Sequence, residues 1–362
     1  MEQTRKNFPV LSQYVYANTA AAGLLNDNLL EWRQEHDLDF LIGGSTMKTK
    51  AMMEYIPKVR ETVASFCGSK TENTALVPNF SIGLNMLLEG LPKNHNVLLL
   101  KNDYPSVNWP FTSRGFRIFY VDIDEHLEDR IFNTIKENNI SVLALSVVQW
   151  VNGIKIAPDF LQLLKEEFPD LIIIADGTQF SGTTVFDFES SAIDVLGTSG
   201  YKWLLAGYGN GFMLFKDHMM DQFSVKTIGF NSSDIDLNGR DQVRFAKFFE
   251  PGHLDTFNFG SLKFSLDYLE GLGMHAIEAQ LNTLSQKAKT AFADLGLLED
   301  AVVKRPSHST IFKIKDDADR FNKLTDEGVV CSQRGGGVRL SFHFYNTEKD
   351  VETIVKILKT TI

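Results

Sequence analysis

Between residues 171 and 215 the chain reads LIIIADGTQF…AIDVLGTSGYKWLLAGYGNGFMLF, two short apolar runs that each end in polar residues no core requires. Leu171 to Ala175 is unbroken, then Asp176 follows, with Gln179 three places on. Ala192 to Leu196 is a second run, interrupted by Asp194, that leads through Gly197, Thr198, Ser199, Gly200 and Tyr201 to Lys202. In an open α/β sheet, ligands sit outside the carboxyl ends of the strands. An acid at one such end and a lysine past the next therefore place a carboxylate and an amine at one crevice.

A lone lysine is as a rule a solvated surface residue. Lys202 differs in its neighbours, a small-residue turn before it and the run Trp203-Leu204-Leu205-Ala206 after it, followed by Gly207, Gly209 and Gly211. That setting predicts a partly desolvated amine, with a lowered pKa and nucleophilic character. A buried acid and such a lysine suit pyridoxal 5'-phosphate. The lysine forms a Schiff base, and the acid keeps the ring nitrogen protonated so the ring can take up electrons. The string resembles the class V aminotransferase family, whose relatives include cysteine desulfurases, kynureninases and isopenicillin N epimerase-like enzymes. The family pattern is Asp-x-x-Gln/His followed by Ser/Thr-x-x-Lys. Here it reads Asp176-Gly177-Thr178-Gln179 and Ser199-Gly200-Tyr201-Lys202.

The resemblance implies an α/β fold of the fold-type-I class. It would have a large, doubly wound, mainly parallel sheet domain (18–257) and a smaller α+β domain built from 1–17 and 258–362. It further implies that Lys202 carries the cofactor and then acts as general base at Cα. Asp176 would stabilise the pyridinium, Gln179 bond the ring oxygen, and Ser199 hold the phosphate or the lysine turn.

Earlier in the chain, Tyr14 to Tyr16 reads as a short strand and Asn18 to Gly23 as a small-residue loop. The loop resembles a family segment at the site entrance, which would turn Ala21 toward substrate. Leu29 to Phe40 and Met52 to Phe66 read as helices, broken at Gly43-Gly44. Leu84, Leu87, Leu88 and Leu91 share one helical face, with Asn79 or Ser81 as the cap. A helix N-terminus attracts phosphate, although every capped helix offers that much. The resemblance makes Asn79, Phe80 and Ser81 the phosphate cradle.

Val97 to Leu100 is a strand that leads into Asn102-Asp103-Tyr104-Pro105-Ser106. An aromatic there is ordinarily packing, whereas in the family it stacks on the pyridine face, the role Tyr104 would take. Asp124 to Ile135 reads as a helix and Val142 to Val148 as a strand, which brings Gln149 or Trp150 near the cofactor. The strand–helix alternation to residue 215 points to a doubly wound sheet.

Residues 217–252 show no period. Phe249-Glu250-Pro251-Gly252-His253 and Asp255-Thr256 resemble a segment that family dimers insert into the neighbouring phosphate site, through His253 or Thr256. Leu262, Leu266 and Leu269 begin a long helix. Ser309 to Lys315 and Gly337 to Phe342 read as strands, Asp316 to Glu327 and Thr347 to Leu358 as helices, the last with a capping-box start. Arg339 lies on such a strand, where a guanidinium can grip a carboxylate through two hydrogen bonds or make a structural ion pair. The family's Val/Leu-Arg-x-Ser…Tyr-Asn-Thr string implies the substrate α-carboxylate. Arg334 lies near it in sequence.

The 362 residues suggest roughly two domains. A net charge of −10 and the lack of a basic cluster argue against nucleic acid. No apolar run is long enough for a membrane span, and MEQTRKNFPV has no signal-peptide core. Two cysteines, Cys67 and Cys331, make neither a disulfide framework nor a metal site, which suits the cytoplasm. We expect no metal, an amino acid or amine as substrate, and a homodimer, as the family implies.

Transamination is the first expectation, with Cβ–X lyase or epimerase chemistry of the same family as alternatives. A non-catalytic binding protein on this fold would have no need of Asp176, Gln179, Lys202 and Arg339 together. A nicotinamide enzyme is disfavoured because Gly207-Tyr208-Gly209-Asn210-Gly211 lacks the required spacing and precedes a strand. Cysteine desulfurases carry an Arg-x-Gly-His-His-Cys loop that is absent here. Tyr201 and Tyr104 also stand where family members have histidine, and both features count against desulfuration.

Overall fold

The computed structural model describes residues 3–234, 236–315 and 319–361. Seven strands form the large sheet: β1 (Thr74–Val77), β2 (Asn96–Leu100), β3 (Arg117–Val121), β4 (Val142–Ser146), β5 (Ile172–Asp176), β6 (Val195–Ser199) and β7 (Gly211–Phe215). Their order is β1-β7-β6-β5-β4-β2-β3. The four pairings from β6 to β3 are parallel, and β7 runs antiparallel to both neighbours.

Continuous apolar runs make these central strands because both faces are covered. On β4 and β5, Leu143, Leu145, Ile173 and Ala175 join one core cluster, while Val142, Ala144, Ile172 and Ile174 join the other. The chain reverses its winding between β2 and β4, the switch point where such sheets bind ligands.

A second unit is built on three antiparallel strands, β8 (Ile311–Lys315), β9 (Ser332–Arg334) and β10 (Gly337–Ser341), in the order β9-β10-β8. Val338, Leu340, Phe312 and Ile314 are fully buried on one face of this sheet. The N-terminal segment packs on the same unit. Phe8 stacks among Tyr268, Phe344 and Tyr345, and Val15–Tyr16 pairs in parallel with Val329–Val330.

Several element boundaries differ from the sequence reading for identifiable reasons. The second apolar run forms strand only from Val195 to Ser199, three places later than Ala192. Asp194 stops it there, because its carboxylate accepts Ile173 N–H and pairs with Lys165. The polar end survives burial because Thr198 Oγ1 bonds Ser181 Oγ and Ser199 N–H reaches Thr178 Oγ1. The helix expected from Asp124 starts at Leu127, since the Asp124 carboxylate instead accepts His126 N–H and pairs with Arg130.

The long helix begins at Thr256, capped by Asp255, and ends at Leu272 before Gly273, whose φ is 87°. It packs on Ile56–Cys67, and a separate helix, Met274–Asp294, follows. Of the stretch Asp316 to Glu327, residues 316–318 lie outside the described residues and Arg320–Asp326 is helical. The last helix has the expected capping box of Thr347 with Asp350. No helix among the described residues is long and apolar enough to cross a membrane. Cys67 and Cys331 are both buried and form no disulfide.

Candidate active site

Four strand ends and one helix end converge. β2 delivers Asp103 and Tyr104, β4 delivers Gln149 and Trp150, β5 ends in Asp176, and β6 leads to Lys202. The helix Phe80–Glu89 points its N-terminus at the same place, and a cavity of about 460 Å³ lies beside that helix end. Its walls include Asn79, Phe80, Ser81, Tyr104, Thr178, Ser199, Tyr201 and Tyr208.

Lys202 is 6% exposed. Its amine lies 5.4 Å from the ring centroids of both Tyr104 and Tyr201. Burial pushes its pKa down from 10.5 to about 8, with Asp176 pulling up and Arg339 pushing further down. The turn that holds it is strained. Leu205 is buried at φ 58°, a left-handed conformation costly for a branched side chain. Ala206 N–H closes the turn on Gly200 O. The entrance segment presses on the same turn, where Gly23 N–H reaches Tyr201 O at 2.8 Å. A Cβ on Gly23 would lie 1.9 Å from Lys202 O, so only glycine fits.

Asp176 is buried, and burial raises its pKa to about 6. Hydrogen bonding from Thr178 and the Lys202 charge oppose that rise, while Asp103 adds to it. Its Oδ1 accepts Thr178 N–H at 2.8 Å. A carboxylate buried this deeply gains most from a cationic N–H donor.

At the helix end, Asn79 caps Ile82 N–H and Ser199 Oγ accepts Phe80 N–H at 2.9 Å. Among the described residues, Ser81 spends neither its N–H nor its hydroxyl on a hydrogen bond. Ser81 therefore offers two donors at the positive end of a helix, beside the Ser199 and Thr178 hydroxyls. Tyr201 and Tyr208 stack at 4.7 Å on the cavity wall, and burial raises the Tyr201 pKa. Tyr104 stands edge-on to Trp150 at 5.6 Å.

Arg339, on β10, is 2% exposed. One of its amino groups donates to Trp150 O at 2.8 Å, and its buried Nε meets no hydrogen-bond partner. Burial and the nearby Arg334 push its pKa down to about 10. A buried guanidinium with an unused donor can bind an anion.

The other expected residues fall as follows. Gln179 lies between the units, donating to Ala20 O at 3.0 Å and accepting Trp203 Nε1–H at 2.6 Å, with one amide hydrogen left over. Ala21 is half-buried in the entrance turn beside Ala20, whose N–H bonds Ser341 Oγ. His253 is exposed near Phe230, and the Thr256 hydroxyl is bonded to His36 Nε2 at 3.0 Å; neither lines this chain's cavity. No group of metal-ligating side chains was found among the described residues.

Four residues assigned no role from the sequence belong to the site. Asp103 is buried at the switch point, where its carboxylate accepts Ser146 N–H and Tyr104 N–H and fixes the Tyr104 backbone. Its place between a strand end and an aromatic was the available signal. Thr178 and Tyr208 were within the quoted motifs but carried no distinguishing spacing. His343, fully buried, holds Trp203 O with Nε2 at 2.9 Å and links the lysine turn to the second unit, a contact no local pattern announces.

A probable cysteine desulfurase of Pyrococcus abyssi is 22% identical, with 100% of this chain and 97% of the relative aligned. Isopenicillin N epimerase of Amycolatopsis lactamdurans is 23% identical over 83% of each chain. The apo structure of a cysteine desulfurase from Thermococcus onnurineus NA1 superposes with a TM-score of 0.84. It covers 100% of this chain and 98% of that one at 21% identity, and so shares the fold. The family model for aminotransferase class-V matches residues 42–354. The chain belongs to that family.

Proposed function

We propose that this member of the class V aminotransferase family is a pyridoxal-phosphate enzyme that acts on an α-amino acid, with transamination as its reaction. One observation carries the reading. A buried amine and a buried carboxylate stand past the ends of adjacent strands, and a guanidinium with an unused donor stands near the amine.

The residues suit the cofactor. Ser81, Ser199 and Thr178 offer donors for its phosphate, Tyr104 an aromatic face, Asp176 a carboxylate for its ring nitrogen, and Lys202 the attachment point. When bound, the cofactor supplies an electron sink for the charge left when a bond to Cα breaks. Lys202 Nζ, with its pKa near 8, is neutral in about a tenth of molecules at pH 7, which makes it both nucleophile and proton carrier at Cα. Arg339 grips the α-carboxylate and so fixes which Cα bond faces the lysine. Gln179, held by Trp203 and Ala20, keeps one amide hydrogen for the ring oxygen.

The second reading is a Cβ–X lyase or epimerase, favoured by the names of the relatives. Desulfuration through a mobile thiol has less support. Cys331 is 9% exposed between the short strands Val329–Val330 and Ser332–Arg334. A homodimer belongs to the same reading. Leu41 and Ile42, 81% and 78% exposed on the helix Asp27–Gly43, suit a covered face. We place the enzyme in the cytoplasm.

The test is the near-visible spectrum of purified protein before and after borohydride, with Lys202→Ala alongside. A yellow band that borohydride removes and the variant lacks supports the reading. Product analysis with amino acids then separates a keto acid plus aminated cofactor from ammonia release or inversion at Cα. A protein that takes up no pyridoxal phosphate overturns it.

A further inference from the structure

The small sheet presents two arginines to the cleft. β9 pairs antiparallel with β10, Ser332 opposite Arg339 and Arg334 opposite Gly337. Paired residues share a face, and every second residue along a strand returns to it. Ser332, Arg334 and Arg339 therefore project on one side, opposite to the buried Val338 and Leu340. That side looks toward the entrance, since Ser332 Oγ bonds Asn18 Oδ1 and Arg339 bonds Trp150 O. The hairpin tip is docked there as well. A Cβ on Gly335 (φ 59°) would lie 2.5 Å from Val151 Cγ1, beside Trp150.

Charge on this face does not balance. Lys313, opposite Arg339 on β8, is paired with Glu299. Arg334 donates to Gln333 O, and no carboxylate pairs with it or with Arg339 among the described residues. Arg334 sits close enough to lower the Arg339 pKa. Two like charges held near each other repel, and with no acid between them an anionic ligand that met both would relieve that repulsion. One α-carboxylate answers Arg339. Arg334, exposed at the hairpin tip, is left for a second anion, and it is diagonal to Arg339 across the strand pair at about 7 Å between side-chain origins.

We propose that the substrate is an amino acid whose side chain carries a second anionic group, and that Arg334 is the residue that selects it. The inference rests on the reading above, with Arg339 on the α-carboxylate. Arg334 lies toward solvent at the hairpin tip, so the second group reaches the mouth of the cleft and a four- or five-carbon dicarboxylate skeleton fits the span.

The experiment titrates cofactor-loaded protein with L-aspartate, L-glutamate, L-alanine and L-norvaline, following the visible band. Maleate and propionate are titrated calorimetrically, as ligands that cannot react. We expect the dianions to half-saturate at concentrations roughly tenfold or more below their monoanionic counterparts. Arg334→Ala should collapse that ratio toward one, while Arg334→Lys restores part of it by charge without the fork. Equal affinity for dianions and monoanions in the wild type overturns the inference and leaves the cofactor reading standing. Equal weakening of both classes by Arg334→Ala also overturns it, since both arginines would then hold one carboxylate. A chain that loads no cofactor overturns both.

Discussion

Replacing Lys202 by methionine should stabilise the cofactor-free protein at neutral pH. The amine is buried, and its pKa falls from 10.5 to about 8. Holding that charge in the folded state at pH 7 therefore costs about 3 kcal/mol relative to the unfolded chain. Methionine keeps the stem and removes the charge. Part of the gain is returned, because burial raises the Asp176 pKa and Lys202, after the Thr178 hydrogen bonds, is one of the groups that oppose the rise. Setting about 1 kcal/mol against it leaves a net gain of about 2 kcal/mol.

An unfolding entropy of about 2.1 cal/mol/K per residue over 362 residues turns this into a Tm rise of about 3 °C. The sign with pH follows from the folded pKa lying below the unfolded one. Between about pH 8 and 10.5 the unfolded chain binds the extra proton, so wild-type stability rises with pH there. The penalty is full below pH 8 and absent above 10.5, and the variant's advantage should shrink across that window. Thermal unfolding of both cofactor-stripped proteins from pH 7 to 10.5 measures it. Adding pyridoxal phosphate should reverse the order, because the wild type binds it more tightly. A variant no more stable at pH 7, or an advantage constant with pH, would refute the claim that Lys202 sits as a desolvated cation.

Arg339→Gln should leave the visible band intact and raise the half-saturating amino acid concentration by about a hundredfold, the loss of a two-pronged charged contact; a spectral titration checks it. Asp176→Asn should retain the fold by circular dichroism while activity falls by about a hundredfold or more, since a neutral amide cannot hold the ring nitrogen protonated. Glu250, fully buried, accepts from Arg60, Lys247 and Leu76 N–H, and Glu250→Ala strands the buried Arg60 and leaves the buried Lys247 with Asp234 alone. The expected loss is about 4 kcal/mol, or about 5 °C in Tm. Because those partners hold its pKa below the ordinary value, the stability it confers is present at neutral pH. It is lost as pH falls through the depressed pKa, which an acid unfolding series on wild type and variant would show.

The legible part of this molecule was its strand ends. Asp176 and Lys202 stood out because an apolar run that stops at a charge is wasteful unless the charge is used, and β5 and β6 place both at the carboxyl edge of the sheet. The alternation that covers β4 and β5 on both faces was legible for the same reason, as was the capping box at Thr347. What escaped notice depends on partners far along the chain. Asp194 read as a flaw in a strand, whereas it is the clamp that sets where β6 begins, through Ile173 and Lys165. Asp103 read as a loop residue until Ser146, from a different strand, supplied its hydrogen bond.

The second unit completes the site through contacts of this long-range kind, and that bears on how the enzyme would work. His343 grips Trp203 O one residue from Lys202, Gln179 ties Ala20 to Trp203, and Ser341 Oγ accepts Ala20 N–H. The lysine turn, already strained at Leu205, is thus braced by residues on both sides of the cleft. Arg339 reaches Trp150 from the small sheet and is coupled electrostatically to Lys202 across the same gap. An anion on Arg339 would cancel part of the field that keeps the Lys202 pKa low. Binding a carboxylate should therefore make the lysine more basic at the moment it is needed to take a proton from Cα. A rise in the pKa of the lysine on binding a non-reacting carboxylate such as propionate, read by NMR of the labelled amine in cofactor-stripped protein, is the expected outcome. An unmoved pKa would show that Arg339 and Lys202 act independently, and that the carboxylate site serves orientation alone.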